Sequence, residues 1–148
     1  MRNSAHEAQD GDRHRDSLLR LTLDGLFPAN QTLVVNPSIR TATLFSLTPE
    51  GENQILAQQH FSPNGMRVLV PLLQSYPHYC PYEVLLASLS SLSLDEARKQ
   101  LQDFWDIAIR PVRRAISSLI AGLRALGLQV RSLRGAGYQV EALSRGRA

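Results

Sequence analysis

Leu133-Arg134-Gly135-Ala136-Gly137-Tyr138-Gln139-Val140 is the stretch on which the reading of this chain turns. Two glycines one residue apart supply the backbone freedom of a tight reversal, and an arginine stands at its tip. Gln129-Val130-Arg131-Ser132-Leu133 and Tyr138-Gln139-Val140-Glu141 are therefore expected to pair as strands around Arg134-Gly135-Ala136-Gly137. Immediately upstream, Val112, Ile116, Leu119, Leu123 and Leu126 recur at four, three, four and three, the spacing of one helix face. A helix is expected from Arg110 or Pro111 to Leu126, closed by Gly127 in a left-handed cap. The other arc carries Arg113, Arg114, Ser117, Ser118, Ala121 and Arg124, and it is small through Ala115, Ala121 and Gly122.

Charge sets this end of the chain apart. From Ile107 onward there are eight arginines and one acid, whereas Met1 to Asp106 holds eight Lys or Arg against twelve acids, giving the net +3. A solvated helix face is the ordinary reading of scattered charge, but it mixes signs; eight charges of nine with one sign make a basic end. A basic helix followed by a basic hairpin suits duplex DNA.

Composition excludes several alternatives. At 148 residues and 43% hydrophobic, the chain suits one globular domain with a tail. It has no apolar run of the roughly 18 to 20 residues that span a bilayer and no signal-peptide pattern, so no membrane partner and a cytoplasmic, nucleoid-associated location are expected. The single cysteine, Cys80, fits a reducing compartment. His6, His14, His60 and His78 make no metal-ligand spacing with it or with one another, so no metal is expected. His78-Tyr79-Cys80 reads as a packed turn rather than a nucleophile pair, since no oxyanion loop accompanies it. There is no P-loop, and no helix follows Gly135-Ala136-Gly137 as a dinucleotide fingerprint requires. Neither an enzyme nor a cofactor is expected.

Residues 1–16 are polar and aperiodic and read as a disordered tail, and residues 144–148 as a C-terminal tail, leaving 17–143 as the domain. Leu19, Leu21 and Leu23 alternate with polar residues, which predicts a strand; an amphipathic helix from Asp16 to Leu26 competes. Thr32–Val35, Thr41–Leu47 and Gln54–Gln58 are further extended segments, separated by Asn36-Pro37-Ser38 and Thr48–Asn53 turn chemistry, and together they predict an antiparallel four-stranded meander. Ser62-Pro63 starts a helix that ends near Tyr76-Pro77, with Pro71 expected to bend it or shift its start. Pro81 opens a short apolar helix. Ser93-Leu94-Asp95-Glu96 is a capping box opening a helix over 93–108, with Leu94, Ala97, Leu101, Phe104, Trp105 and Ala108 as its apolar stripe. Phe104 and Trp105 read first as core packing and otherwise as anchors for a protein partner.

In this order the segments resemble the winged-helix effector domain of OmpR/PhoB-type bacterial response regulators. Phe61–Leu69 is similar to the family's first-helix start, Pro81–Leu85 to its second helix, Pro111–Leu119 with Leu123 to its recognition helix, and Leu133–Tyr138 to its arginine-glycine-x-glycine-tyrosine wing. The resemblance implies an α+β winged helix-turn-helix: an N-terminal antiparallel four-stranded sheet, a three-helix core with the 93–108 helix inserted, and a C-terminal β-hairpin wing. It implies a DNA-binding transcriptional regulator, with a helix over about 111–126 in the major groove and a wing over 131–140 on the adjacent backbone or minor groove. Arg110, Arg113, Arg114, Ser117, Ser118 and Arg124 would lie on the helix, and Arg131, Ser132 and Arg134 on the wing, while Tyr138 packs the wing onto the core.

Double-stranded DNA is then the expected partner, with homodimers across half-sites and RNA polymerase or another regulator meeting the 93–108 helix through Phe104 and Trp105. The family's arginines in the second half of the recognition helix are replaced by Ser118 and Ile120, and the residues before Leu18 are too few for its receiver domain. The alternative is a winged-helix protein-interaction module, a subunit of a larger complex, using the small Ser117–Gly122 stretch and the two aromatics.

Overall fold

The computed structural model describes residues 18–143, so both expected tails, 1–16 and 144–148, lie outside the described residues. The chain is α+β, with four helices, a four-stranded antiparallel sheet and a three-stranded antiparallel sheet among those residues.

The first sheet is the expected meander. β1 (Leu19–Leu21), β2 (Gln31–Asn36), β3 (Thr41–Leu47) and β4 (Asn53–His60) lie in sequence order. Alternation decides which side faces inward: Leu19 and Leu21 pair with Val35 and Leu33, whose other neighbours, Ala42 and Leu44, are also buried. The strand thus prevails over the competing helix, because Leu19 and Leu21 bury themselves on the same face as β2. Three apolar residues in succession, Ile55-Leu56-Ala57, cannot all face one way in a regular strand. The ladder resolves this by pairing Phe45 with Ile55 and Leu44 with Ala57, which leaves Leu56 as a bulge.

α1 (Pro63–Ser75) begins where Ser62 caps it, its hydroxyl accepting the Gly65 N–H at 3.0 Å with proline in the first turn. Pro71 lies inside the helix and does not shift its start. The carbonyl it leaves without an N–H belongs to Arg67, an exposed residue whose oxygen water can reach, and Ser75 Oγ donates to Pro71 O at 2.8 Å one turn later. β5 (Cys80–Pro81) and α2 (Tyr82–Ser90) follow. The two-residue β5 had no signal in the sequence; it exists because β7 (Gly137–Ala142) runs beside it, and with β6 (Leu128–Leu133) they form a sheet ordered β5-β7-β6.

The largest correction concerns the helices after Ser93. The capping box is present as expected, the Ser93 hydroxyl accepting the Glu96 N–H at 3.1 Å while Glu96 Oε1 takes the Ser93 N–H at 3.2 Å. However, α3 covers only Leu94–Asp103, and the expected 93–108 helix breaks at Phe104, whose φ of −139° and ψ of 50° end one helix and begin the next. α4 then runs Trp105–Ala125, about a turn and a half ahead of the expected start at Arg110 or Pro111. Pro111 is an interior residue of α4, not its first. It is tolerated because the carbonyl it deprives is that of Ile107, and both residues face solvent. Of the expected stripe in this stretch, Ala97, Leu101 and Ala108 are buried, whereas Leu94, Phe104 and Trp105 are exposed. At its other end α4 closes as anticipated, with Leu126 at the cap and Gly127 at φ +81°.

Val112, Ile116, Leu119 and Leu123 of α4 pack, with Leu126, against Leu69, Leu72 and Leu73 of α1, Leu85 of α2, and Leu128 and Val140 of the hairpin in one continuous core. One face of α4 is thereby fixed inward along its length. The other is left to solvent.

Candidate nucleic-acid interface

At about 100° per residue, Arg110, Arg113, Arg114, Ser117, Ala121 and Arg124 fall within an arc of roughly 100° opposite the buried face of α4. All six are exposed. Ser118 stands at the margin of this arc, turned toward α1: its hydroxyl donates to Ala115 O at 2.6 Å and lies 3.5 Å from Ser62 Oγ, the oxygen that caps α1. It serves the α1–α4 crossing.

The small residues expected on the outward arc are also placed differently. Ala115 is buried, and a Cβ on Gly122 would come within 2.5 Å of the Phe61 ring, so the chain's own β4–α1 connection occupies that notch. Only Ala121 of the three faces outward. The smallness of this stretch is explained by internal packing, and an incoming partner backbone is not needed to account for it.

The β6–β7 hairpin is fastened beside the start of α4. Ala136 N–H donates to Leu133 O at 2.9 Å to close the turn, and Gly135 takes φ +79° within it. Gly137 does not lie in the left-handed region; glycine is needed there because a Cβ would sit 2.0 Å from Cys80 O of β5. Tyr82 is the rivet. Its backbone N–H donates to Ala136 O at 3.3 Å and its hydroxyl to Leu133 O at 3.3 Å, while its ring meets Trp105 edge-on at 5.1 Å and Tyr138 at 5.8 Å. Tyr138 thus packs the hairpin inward, as expected of it. Burial pushes its hydroxyl pKa up and the neighbouring Tyr82 adds to this, with the Arg113 guanidinium beside it pulling the other way. Arg113 thus places a positive charge on the outward face of α4 next to the hairpin.

Among the expected hairpin residues, Arg131, Ser132 and Arg134 are all exposed. Arg131 is engaged across the ladder, with Nη2 donating to Gln139 Oε1 at 3.1 Å and Nε 3.8 Å from Glu141 Oε2. Arg134 stands in the turn. Among the described residues Arg110, Arg113, Arg114, Arg124 and Arg134 have no carboxylate within ion-pair distance, whereas Arg98 on α3 is held 3.3 Å from both Glu83 and Asp95. Among the described residues, five such side chains thus gather on α4 and the hairpin tip, whereas Arg20, Arg40, Arg67 and Lys99, also without a carboxylate, lie scattered elsewhere.

Phe104 and Trp105 part company. Phe104 is 63% exposed and Trp105 38%, the latter turned onto Tyr82. Trp105 also lines a shallow groove of about 330 Å³ with Tyr82, Leu101, Gln102, Gly135 and Ala136, which sets the hairpin turn next to the first turn of α4. Ile107, 64% exposed, was missed at sequence level. Its spacing of three and seven from Arg110 and Arg114 would have found it, had the helix been started before Pro111.

Among the described residues no group of three or more His, Cys, Asp or Glu side chains is placed to hold a metal ion, and no helix is long and apolar enough to cross a membrane. Cys80 is fully buried, and burial raises its thiol pKa. Comparison with protein-family models, with curated proteins and with solved structures found no match.

Proposed function

We propose that this chain is a DNA-binding transcriptional regulator of winged-helix type, with α4 in the major groove and the β6–β7 hairpin as the wing on the adjacent backbone or minor groove. The observation that carries the reading is the set of five exposed arginines, Arg110, Arg113, Arg114, Arg124 and Arg134, without a carboxylate partner among the described residues. They stand on two elements that Tyr82 bridges, its ring on Trp105 of α4 and its hydroxyl on Leu133 O of the hairpin. Self-repulsion among such charges is relieved by a polyanion, and duplex DNA presents one phosphate about every 1.7 Å along its axis. A major groove about 12 Å wide admits one helix. The order of sheet, α1, α2, α4 and hairpin agrees with the OmpR/PhoB-type resemblance, with α3 as the added element.

The test is fluorescence anisotropy of the full chain on labelled duplex over a salt series. Each phosphate neutralised contributes about −0.9 to the slope of log Kobs against log salt, so engagement of four of the five arginines gives a slope of roughly −4. Negligible affinity at low salt, or a flat salt dependence, defeats the reading. A protein-interaction module is the second reading, favoured by the exposure of Phe104. It loses the small-residue stretch, which Phe61 and α1 already occupy. Mass measurement and co-purification of the full chain separate the two.

A further inference from the structure

A helix lying in the major groove meets base edges with its N-terminal residues. The start of α4 at Trp105 therefore changes which side chains stand at the reading end. Had the helix begun at Pro111, Arg114, Ser117 and Ser118 would occupy its first turns; as it is, Asp106, Ile107 and Arg110 do. Ile107, Arg110 and Arg114 form an outward stripe at intervals of three and four, and Phe104 stands just ahead of it at the cap. Trp105 is turned inward onto Tyr82 and holds this first turn against the hairpin.

The chemistry of the turn is unsuited to the phosphate backbone. A carboxylate at Asp106 repels phosphate oxygens, and the exposed rings and methyls of Phe104 and Ile107 gain nothing from them. Apolar side chains on a helix that is otherwise cationic are rewarded where the groove itself is apolar. On base edges that place is the C5-methyl of thymine.

We propose that Ile107, with Phe104 beside it, is a specificity-determining residue that reads thymine methyl groups, about one helical turn ahead of the contact made by Arg110 and about two ahead of that made by Arg114. This rests on the DNA-binding reading of α4. The preferred site then carries thymine at one or two positions next to those read by the arginines, and Arg114 follows at the next turn.

The experiment selects duplexes from a random-sequence pool with the full-length wild-type chain and with Ile107→Ala and Phe104→Ala variants. Each thymine of the winning site is then replaced singly by deoxyuridine, which removes the methyl and leaves every hydrogen-bonding group. Ile107 is exposed and alanine favours helix, so circular dichroism and Trp105 fluorescence of the variant should match the wild type. Deoxyuridine at one or two positions should weaken wild-type binding about three- to fourfold for each methyl lost. Ile107→Ala should bind thymine and deoxyuridine forms equally and should enrich a site degenerate at those positions.

Indifference of the wild type to deoxyuridine everywhere, or undiminished deoxyuridine sensitivity in both variants, overturns the inference while leaving DNA binding intact. An Ile107→Ala variant that keeps its duplex affinity and its selected site but no longer pairs with a protein that co-purifies with the wild type overturns it in favour of a protein contact. Failure of the wild type to enrich any duplex removes the DNA reading itself.

Discussion

Replacing Gly137 with alanine should cost far more than replacing Gly135, although Gly135 is the glycine with positive φ. A Cβ at position 137 would sit 2.0 Å from Cys80 O, 2.8 Å from Cys80 C and 3.0 Å from Pro81 Cα, all backbone atoms that no rotamer change can clear. Ordinary contact begins near 3.4 Å, so β5 and β7 must part by about 1.4 Å. That separation breaks the short β5–β7 ladder and the Tyr82 N–H bond to Ala136 O, already 3.3 Å long. Two backbone hydrogen bonds at about 1 kcal/mol each, with a further ~1 kcal/mol or more of overpacking, give about 3 kcal/mol. At Gly135 nothing lies within 4 Å of the added Cβ. Only the left-handed conformation is penalised there, at about 1 kcal/mol.

Urea titration of the two variants, followed in parallel by circular dichroism and by the fluorescence of Trp105, the sole tryptophan, measures both costs. With a slope near 1.5 kcal/mol per molar, Gly137→Ala should lower the midpoint by roughly 2 M and Gly135→Ala by roughly 0.7 M. Because Trp105 meets the hairpin through Tyr82, its signal in Gly137→Ala should also change before the helical signal does. Equal midpoints for the two variants would falsify the claim that Gly137 is set by close approach of β5.

Four further outcomes are expected. Arg134→Ala should weaken binding to all duplexes alike by about 1 kcal/mol and reduce the salt slope by about 1, since a contact at the hairpin tip meets backbone; a sequence-dependent loss contradicts that placement. Ser93→Ala should lower the melting temperature by a few degrees at neutral pH through loss of the α3 cap. Hydrogen bonds from Ser93, its hydroxyl first and its backbone amide second, hold the Glu96 carboxyl below the usual range, so the folded chain releases that proton more readily than the unfolded one. The resulting stability is present at neutral pH and fades as pH falls through the lowered value, and Ser93→Ala should diminish that acid-side loss, as melting curves between neutral and acid pH will show. Cys80, fully buried and with its thiol pKa raised, should resist iodoacetamide at neutral pH in the native protein and react once urea unfolds it; rapid labelling of native protein would contradict its burial.

Most of the fold was written in local patterns. Period-two alternation located the meander, Ser62-Pro63 and the Ser93–Glu96 box located two helix starts, and the glycine pair located the hairpin. What escaped were features decided by distant residues. No cap, proline or glycine marks the break at Phe104; Trp105 turns onto Tyr82, a side chain from another helix, and the backbone bends at Phe104. Pro111 reads as a first helical residue by local preference, yet it sits mid-helix because the carbonyl it orphans faces water. β5 is two residues long and is invisible without β7. The arginines of the candidate interface were legible as a run of one sign, but on a helical projection Ala115 already falls on the buried side, and Ser118 and Gly122 lie between the two faces, where Ser62 and Phe61 meet them. Ile107 was hidden by the same misplaced helix start.

The bulge at Leu56 bears on how this chain behaves at high concentration. β4 forms the rim of its sheet, eight residues of backbone with no further strand in that sheet beside it. Such a rim is a template on which a second molecule could splice itself, and the exposed Ile55 would encourage it. The extra residue interrupts that template midway. A foreign strand that matches the groups from Ala57 to His60 arrives out of step at Ile55, and only a few rungs can form before the mismatch. The same residue that reconciles Ile55-Leu56-Ala57 with a two-sided strand thus limits this edge as a nucleus for aggregation.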